Sequence, residues 1–419
     1  MQTNYTHQIT HIDLSKQQSM PLLNEEHQNN YLVFWWKDIP LGQLFLNKME
    51  QMKAKDYYTW VTQAIQPTID FYLQREGEQP NHWQELFLEN RFAEWTAWMN
   101  YLFSDLIAEE IPARVPVSVI ICTRNRASDL HQCLINLSNL ACAPEEIIVV
   151  DNAPTDESTF QVVQQFPIAT YVRESRPGLD IARNAGVKSA TSPIVAFVDD
   201  DVLVEPLWVY KVWEAFQTPA TVAMTGLVIA SELETEAQLL FEKYWSFNRG
   251  YVDKIYDKNF FNSTLAFGPP VWEVGAGANM AFRRSIFEEV GYFDELLDVG
   301  AAGCNGDSEM WFRILLNGHS IHYNPRAVVF HKHRKELSGL NKQLFYYMRG
   351  HAAAALIQKK LHKRAGYKRH IFWELPKWYL KLIVRGFPKY GFRYQLLKSE
   401  ISGLGSGVMY YYKTNKKLA

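Results

Sequence analysis

The sequence predicts an α/β fold with a mostly parallel sheet flanked by helices. Two observations predict it. After Pro116, short branched apolar runs alternate with segments of helical spacing, the rhythm of strand–helix–strand units with right-handed crossovers. Three of those runs also end in polar clusters: Thr123-Arg124-Asn125-Arg126, Asp151-Asn152 and Asp199-Asp200-Asp201. In such sheets, ligands bind beyond the carboxyl ends of the strands.

Taken in order, Val117–Ile121 is the first buried run. Ser128–Leu140 carries Leu130, Cys133, Leu134 and Leu137 at helical spacing. Ile147–Val150 is a second strand, followed by a helix over Thr155–Gln165. Ala169–Val172 is a third strand, Asp180–Ala190 a helix, and Ile194–Val198 a fourth strand. Met280–Phe282 reads as a further strand, and the apolar pattern after Asp307 as a helix. Upstream, residues 1–30 read as a loose polar tail. Residues 31–114 form an accessory region without a chemical motif. It has a strand-like run from Tyr31 to Trp36, a turn at Pro40-Leu41-Gly42 and Trp-rich helical patterns over Trp83–Leu106. The main α/β domain is expected over residues 115–335, and a basic, aromatic-rich helical extension over 336–419.

The 419 residues suffice for one large catalytic domain with appendages. No apolar run reaches the ~18–20 residues that span a bilayer, and the N-terminus lacks a signal-peptide apolar stretch. Cys122, Cys133, Cys142 and Cys304 have no CxxC spacing. Neither zinc nor a disulfide framework is expected, and a reducing, cytoplasmic setting fits. The net charge of −2 hides an asymmetry. From His331 onward there are 20 Lys and Arg against three acids, a net of +17, and the rest of the chain is −19. Aromatics interleave with those cations, as in Phe372-Trp373 and Trp378-Tyr379. The stretch suits peripheral attachment to an anionic membrane surface at its inner face, or forms a solvated helical face. No GxGxxG follows the first strand and no GxxxxGK[ST] occurs, which argues against a dinucleotide dehydrogenase and a P-loop NTPase. No nucleic-acid partner is expected.

The acid cluster carries the chemistry. Three adjacent carboxylates repel one another unless a cation sits among them. Hard divalent cations such as Mg2+ or Mn2+ take oxygen ligands and bridge carboxylates to phosphates. The alternative is a solvated acidic turn with Asp as an N-cap before Glu205-Pro206. Asp151 could accept a hydrogen bond from a base or ribose, or close an Asx-turn. Arg183 shares a helical face with Asp180, so it either points at a diphosphate or pairs with that acid. Gly275-Ala276-Gly277-Ala278-Asn279 lets backbone approach a ligand closely, and Asn279 could bind a sugar hydroxyl. Asp307 could remove a proton from an attacking hydroxyl or serve as an N-cap. Trp311 could stack on a sugar or fill the core. His331 could join the acids as a metal ligand, with His333 as the competing choice.

In order, VSVIICTRNR, IIVVDNAPTD, RPGLDIARNAGV, IVAFVDDDV, GAGANMAFRRSIFEEVGYFDE, GDSEMWFRIL and VVFHKHR resemble family-2 glycosyltransferases with the GT-A fold. The matching stretches lie within about half of the chain. The resemblance implies a nucleotide-diphosphate sugar donor, a glycan or lipid-linked acceptor, and a divalent metal, Mn2+ or Mg2+. It places Asp151 at the base, Asp199 toward the ribose, Asp201 and His331 on the metal, and Asp307 as the inverting base. Thr123, Arg126, Arg183 and Asp200 fall to the donor side. Gly277, Asn279, Glu309 and Trp311 fall to the sugar or acceptor. Gly306 stands where the family often has Glu, and Glu309 is the candidate to supply that carboxylate. Two other readings compete: a sugar-phosphate nucleotidyltransferase, though Thr123–Ser128 has no glycine, and a non-catalytic nucleotide-sugar-binding scaffold at a membrane.

Overall fold

The computed structural model describes residues 6–21, 29–47, 54–75, 83–388 and 392–418. Three strands open the chain: β1 (Gln8–Asp13), β2 (Asn29–Trp36) and β3 (Ile39–Asn47). β1 runs parallel to β2, and β3 antiparallel to it. Residues 8–13 therefore do not belong to a loose tail; their backbone is paired along β2. The turn falls at Lys37-Asp38, not at Pro40-Leu41-Gly42, which lies inside β3.

Every residue of β2 is buried, which its alternation explains. Leu32, Phe34 and Trp36 pack with Trp83, Phe87 and Trp95 from the helices beyond β3. Tyr31, Val33 and Trp35 face the other way, onto Leu227, Ile229 and Val328 of the main sheet. The accessory region is thus a layer on the back of the catalytic sheet. Lys211 reaches across to Asp38 at 3.2 Å and to the Leu106 carbonyl at 3.0 Å.

The main sheet holds β4 (Arg114–Thr123), β5 (Ala143–Asn152), β6 (Ala169–Glu174), β7 (Ile194–Asp199), β8 (Val202–Val204), β9 (Thr221–Ala230), β10 (Lys254–Tyr256), β11 (Asn279–Arg283) and β12 (Ser320–His331). Their order is β10-β12-β9-β11-β7-β4-β5-β6, with β8 on β12. β4 to β7 form the parallel block that the sequence predicts. The remainder is mixed, because β11 runs antiparallel to both its neighbours. Ile194–Val198 is buried throughout, as a central strand covered on both faces must be.

Asn279 is a part of this sheet and not of a ligand site. The β9–β12 pairing slips between Asn324 and Val328, so carbonyls there lose their ladder partners. The buried Asn279 amide donates to Leu227 O at 3.0 Å and to Ala327 O at 2.8 Å, and accepts from Trp208 Nε1 at 3.0 Å. Both its amide protons and one acceptor position are thereby used within the fold.

The C-terminal segment is helical, as expected, but not an appendage. Helix Leu337–Leu361 packs along Leu397–Leu418. Met348, Ala352, Tyr367, Ile371 and Tyr379 share one apolar core with Trp311, Phe312 and Ile314. The boundary expected at 335/336 therefore cuts through a single core.

One polar cluster ties the layers together. Asp253 accepts from Arg326 at 2.7 and 3.0 Å, from Tyr72 at 2.8 Å, and meets His322 at 2.7 Å. Burial alone would raise this carboxyl, but His322 and Arg326 hold it well below its usual range. Asp253→Asn should cost roughly 3–5 kcal/mol at pH 7, because it leaves Arg326 buried without its counter-charge. The folded-state depression makes this contribution present above the unfolded value of 3.8 and lost as pH falls below it. Denaturant melts at pH 7 and near pH 3 should show the gap narrowing with acid.

Candidate active site

Strand register builds the site. Thr123 at the end of β4 sits across from Asp151 of β5, and Cys122 across from Asp199 of β7. β11 pairs Asn279 with Val198 in the antiparallel sense, so Gly275–Ala278 arrives over the acid end of β7. β8 pairs Val202 with His331, which carries the β12 terminus to the same place. Helix Gly306–Leu316 points its N-terminus inward. Together these ends wall a cavity of about 1610 Å³.

Asp199, Asp201 and His331 converge there, with one ligand atom from each within 4.8 Å of the others. His331 Nε2 lies 3.8 Å from Asp201 Oδ1. Burial, opposed by the Asp201 charge, pushes the His331 imidazole down to about 4. It is neutral at physiological pH and able to offer a lone pair. Behind it, His331 Nδ1 meets His333 Nδ1 at 3.2 Å, and His333 Nε2 meets Glu242 at 2.9 Å. With Glu242 as acceptor, the proton order along this chain leaves His331 Nε2 facing the acids. His333 is thus the support and His331 the residue presented to the cluster. Burial and then the Asp201 charge push Asp199 well above the usual carboxylate range, with Arg183 partly offsetting. Two carboxylates and a neutral imidazole gathered this closely fit a divalent cation.

Asp200 does different work. Its Oδ2 accepts from Thr123 Oγ1 at 2.7 Å and its Oδ1 from Arg126 Nη1 at 2.7 Å. Arg126 also reaches Asp201 Oδ2 at 2.9 Å. Asp200 and Thr123 therefore lock the turn that aims Asp199 and Asp201, and both line the cavity.

The second cluster surrounds Asp307, in the first turn of its helix. Asn305 takes the N-cap position, with φ of 86°, so Asp307 is not the cap. Its Oδ1 accepts from the Ser308 amide at 2.7 Å. A Cβ on Gly277 would lie 3.0 Å from Asp307 Oδ2 and 2.6 Å from Arg183 Nη2. Only glycine leaves these two groups room at that point of the strand entry. Arg183 is buried and donates to Asp180 Oδ1 at 3.0 Å. Arg183 thus pairs with Asp180 while lining the cavity.

Residues 118–291 match the model of glycosyl transferase family 2. This is a family-2 glycosyltransferase domain. The chain is 28% identical over 259 residues to the pre-mycofactocin glycosyltransferase of Mycobacterium tuberculosis, covering 61% of this chain and 50% of that one. It is 24% identical over 234 residues to the glucosyl-dolichyl phosphate glucuronosyltransferase of Haloferax volcanii, covering 52% and 69%. A solved structure of a mannosyltransferase from Pyrobaculum calidifontis, in complex with GDP-Man and Mn2+, aligns with a TM-score of 0.44 at 17% identity, covering 74% of this chain and 93% of that one. The chain thus spans about half the length of the first curated relative it matches.

Within the family-2 domain and the helix beyond it, three expected site residues besides Asn279 stand off the cavity. Glu309 is buried and gives both oxygens to Arg313, at 2.8 and 2.9 Å. Arg313 in turn holds the carbonyls of Val290, Gly291 and Tyr292. Trp311 is wholly buried in the core. Asp151 is also fully buried; its Oδ2 accepts from Tyr171 at 2.9 Å, and its Oδ1 is buried without a partner among the described residues. Its neighbour Asn152, not Asp151, lines the wall.

Sequence reasoning missed Asp180 as a site residue. A Cβ on Gly306 would lie 2.0 Å from Asp180 Oδ2. The Asp180 carboxyl therefore occupies the space that a side chain at 306 would need. Burial, partly offset by Arg183 and reinforced by Asp298 and Asp307, raises it to about 7. Asp180, and not Glu309, thus places its carboxyl against position 306. The signal was the i, i+3 spacing to Arg183, read together with the unusual glycine. Also missed were Arg249, Trp272 and Tyr347 on the wall, and the whole face contributed by residues after 336.

Gly306→Ala should cost about 1–3 kcal/mol through overpacking. In a double-mutant cycle with Asp180→Ala most of that cost should disappear, since the colliding carboxyl is gone. At the acid cluster, a proton kept on Asp199 competes with any cation. Mn2+ affinity should therefore rise with pH between 5.5 and 7.5, by at most about tenfold per unit for each proton displaced. Thermal shifts with Mn2+ across that range read the slope, and His331→Ala should lower the affinity while leaving the slope in place, because the imidazole is already neutral there.

Proposed function

We propose that the protein is an inverting, metal-dependent glycosyltransferase that moves a sugar from a nucleotide-diphosphate donor to a hydroxyl of a glycan or lipid-linked acceptor. The observation that carries this is the pairing of two acid sets on one cavity. One is Asp199, Asp201 and His331; the other is Asp307, beside Arg183 and the gap at Gly277. When bound at the first set, Mn2+ or Mg2+ would neutralise the diphosphate, and the imidazole favours Mn2+.

The chain's own residues do the rest. Asp307 Oδ2 takes the proton of the acceptor hydroxyl as its oxygen attacks the anomeric carbon. The bond from that carbon to the diphosphate oxygen breaks on the opposite face, so the centre inverts. Arg126, Arg249 and Arg334 line the cavity and offer cations to the departing diphosphate. Arg183 sits among Asp180, Asp199 and Asp307 and sets a fixed positive charge beside the candidate base. Gly277 keeps that space open. We place the base at the end of β5, beside Asn152 and its strand neighbour Asp151. A cytoplasmic setting, attached peripherally to a membrane, accords with four unpaired cysteines and the basic C-terminal segment.

Asp307→Asn should lower kcat by about 10²–10⁴ while leaving donor binding nearly intact, because a general base acts only in the transition state. Release of nucleoside diphosphate from candidate donors with Mn2+, alongside calorimetric donor titration, measures both. A kcat within a few-fold of wild type would remove Asp307 from the mechanism. Absence of turnover in the wild type with every donor that binds would favour the non-catalytic scaffold.

A further inference from the structure

Helix Leu375–Gly386 and the turn before it are apolar on two faces. Inward, Ile371 and Tyr379 are buried in the core, and Leu375, Trp378 and Tyr379 line the cavity. A helix needs one such face to dock on a protein. Yet Trp373, Leu380, Val384 and Phe387 are 68%, 61%, 65% and 74% exposed. Leu380 and Val384, four residues apart, share one outward face of the helix, and Trp373 and Phe387 flank it at its two ends. Lys377, Lys381 and Arg385, all exposed, recur at spacings of four along its flank.

We propose that this outward face docks on an anionic lipid bilayer, with the helix lying in the interface and the cavity behind it held at the membrane. Charge argues for that occupant. The face lies in the segment of net +17, while the remainder of the chain is −19. An anionic bilayer meets both of its features at once, apolar insertion and flanking cations, with Lys and Arg reaching up to the headgroups. A nucleic acid would meet only the cations. Among the described residues no helix is long and apolar enough to cross a membrane, so the attachment is to one leaflet. Because the same helix forms a cavity wall, an acceptor carried by a lipid would enter beside it. That last step rests on the proposed transferase reading; the docking itself does not.

The test is flotation of the full chain with phosphatidylcholine vesicles containing about a quarter phosphatidylglycerol, against pure phosphatidylcholine. The wild type should float with the anionic vesicles and lose most of that binding in high salt. Leu380→Asp/Val384→Asp, which replaces no cavity-lining residue, should reduce vesicle binding at least about tenfold. Its thermal shift with nucleoside diphosphate and Mn2+ should stay as in the wild type, which separates loss of docking from loss of fold. Lys377→Glu/Lys381→Glu should weaken binding to anionic vesicles only. The proposal fails if the wild type ignores anionic vesicles at low salt, or if the double Asp variant floats as well as wild type. It fails equally if that variant only converts a dimer into a monomer. None of these outcomes depends on turnover, so they are independent of whether Asp307 is the base.

Discussion

The structure turns on one electrostatic constraint: five carboxylates are gathered at the carboxyl edge of a parallel sheet, mostly out of water. Asp199, Asp200 and Asp201 come from one strand end, Asp180 and Asp307 from two helix starts. Unpaired, such a group of charges would be prohibitive. Most have a specific answer. Asp200 is held by Thr123 and Arg126, Asp201 by Arg126, Asp180 by Arg183, and Asp307 by a backbone amide. Asp199 lacks a partner of that kind among the described residues; its carboxyl is pushed up by burial and by Asp201. That acid is also one of the two whose ligand atoms converge with that of His331. Site chemistry and fold stability meet at its carboxyl.

The layers around the sheet explain why the edge stays rigid. The accessory region covers β9 and β12 from behind through Tyr31, Val33 and Trp35. It is anchored by Asp253, Arg326 and Tyr72. β12 ends at His331, so whatever steadies β12 also steadies that imidazole. On the other side, helix Leu337–Leu361 comes so close to the loop before Asp307 that a Cβ on Gly350 would lie 2.2 Å from Cys304 O. Both regions look accessory by motif and are structural by contact.

Much of this was legible in the sequence. The parallel block could be read because buried strands appear as unbroken apolar runs ending in polar clusters. Thr123, Arg126, Asp199, Asp200, Asp201, Gly277 and Asp307 do line one cavity. What could not be read depends on distant register. Asn279 looked like a sugar-binding amide because nothing local reveals the slip between Asn324 and Val328 that consumes it. Glu309 looked like a spare carboxylate because its partner Arg313, one helical turn on, serves a loop at Val290–Tyr292. β1 was missed because a parallel edge strand of mixed polarity carries little pattern of its own.

Gly306 and Asp180 share one space at the start of the Asp307 helix. A side chain at 306 and the Asp180 carboxyl cannot coexist, since they claim the same volume. Asp180 sits on a different helix, but its oxygen reaches the first turn of the Asp307 helix. There, a carboxyl group meets the positive end of the helix dipole. It also meets Arg183, which no side chain from position 306 is needed to recruit. A carboxyl group therefore lies against the start of the Asp307 helix, and it comes from the helix that carries Arg183. This origin has a mechanical consequence. The start of the Asp180 helix is fixed by Asp298, whose Oδ2 accepts from the Ile181 amide at 3.1 Å. The environment of Asp307 thus becomes coupled to the loop that includes Asp298, and through Gly303 and Gly350 to the C-terminal helices. The wall that faces outward through Trp373 and Leu380 is built from the same C-terminal helices, so the outer surface and the candidate base share one mechanical frame.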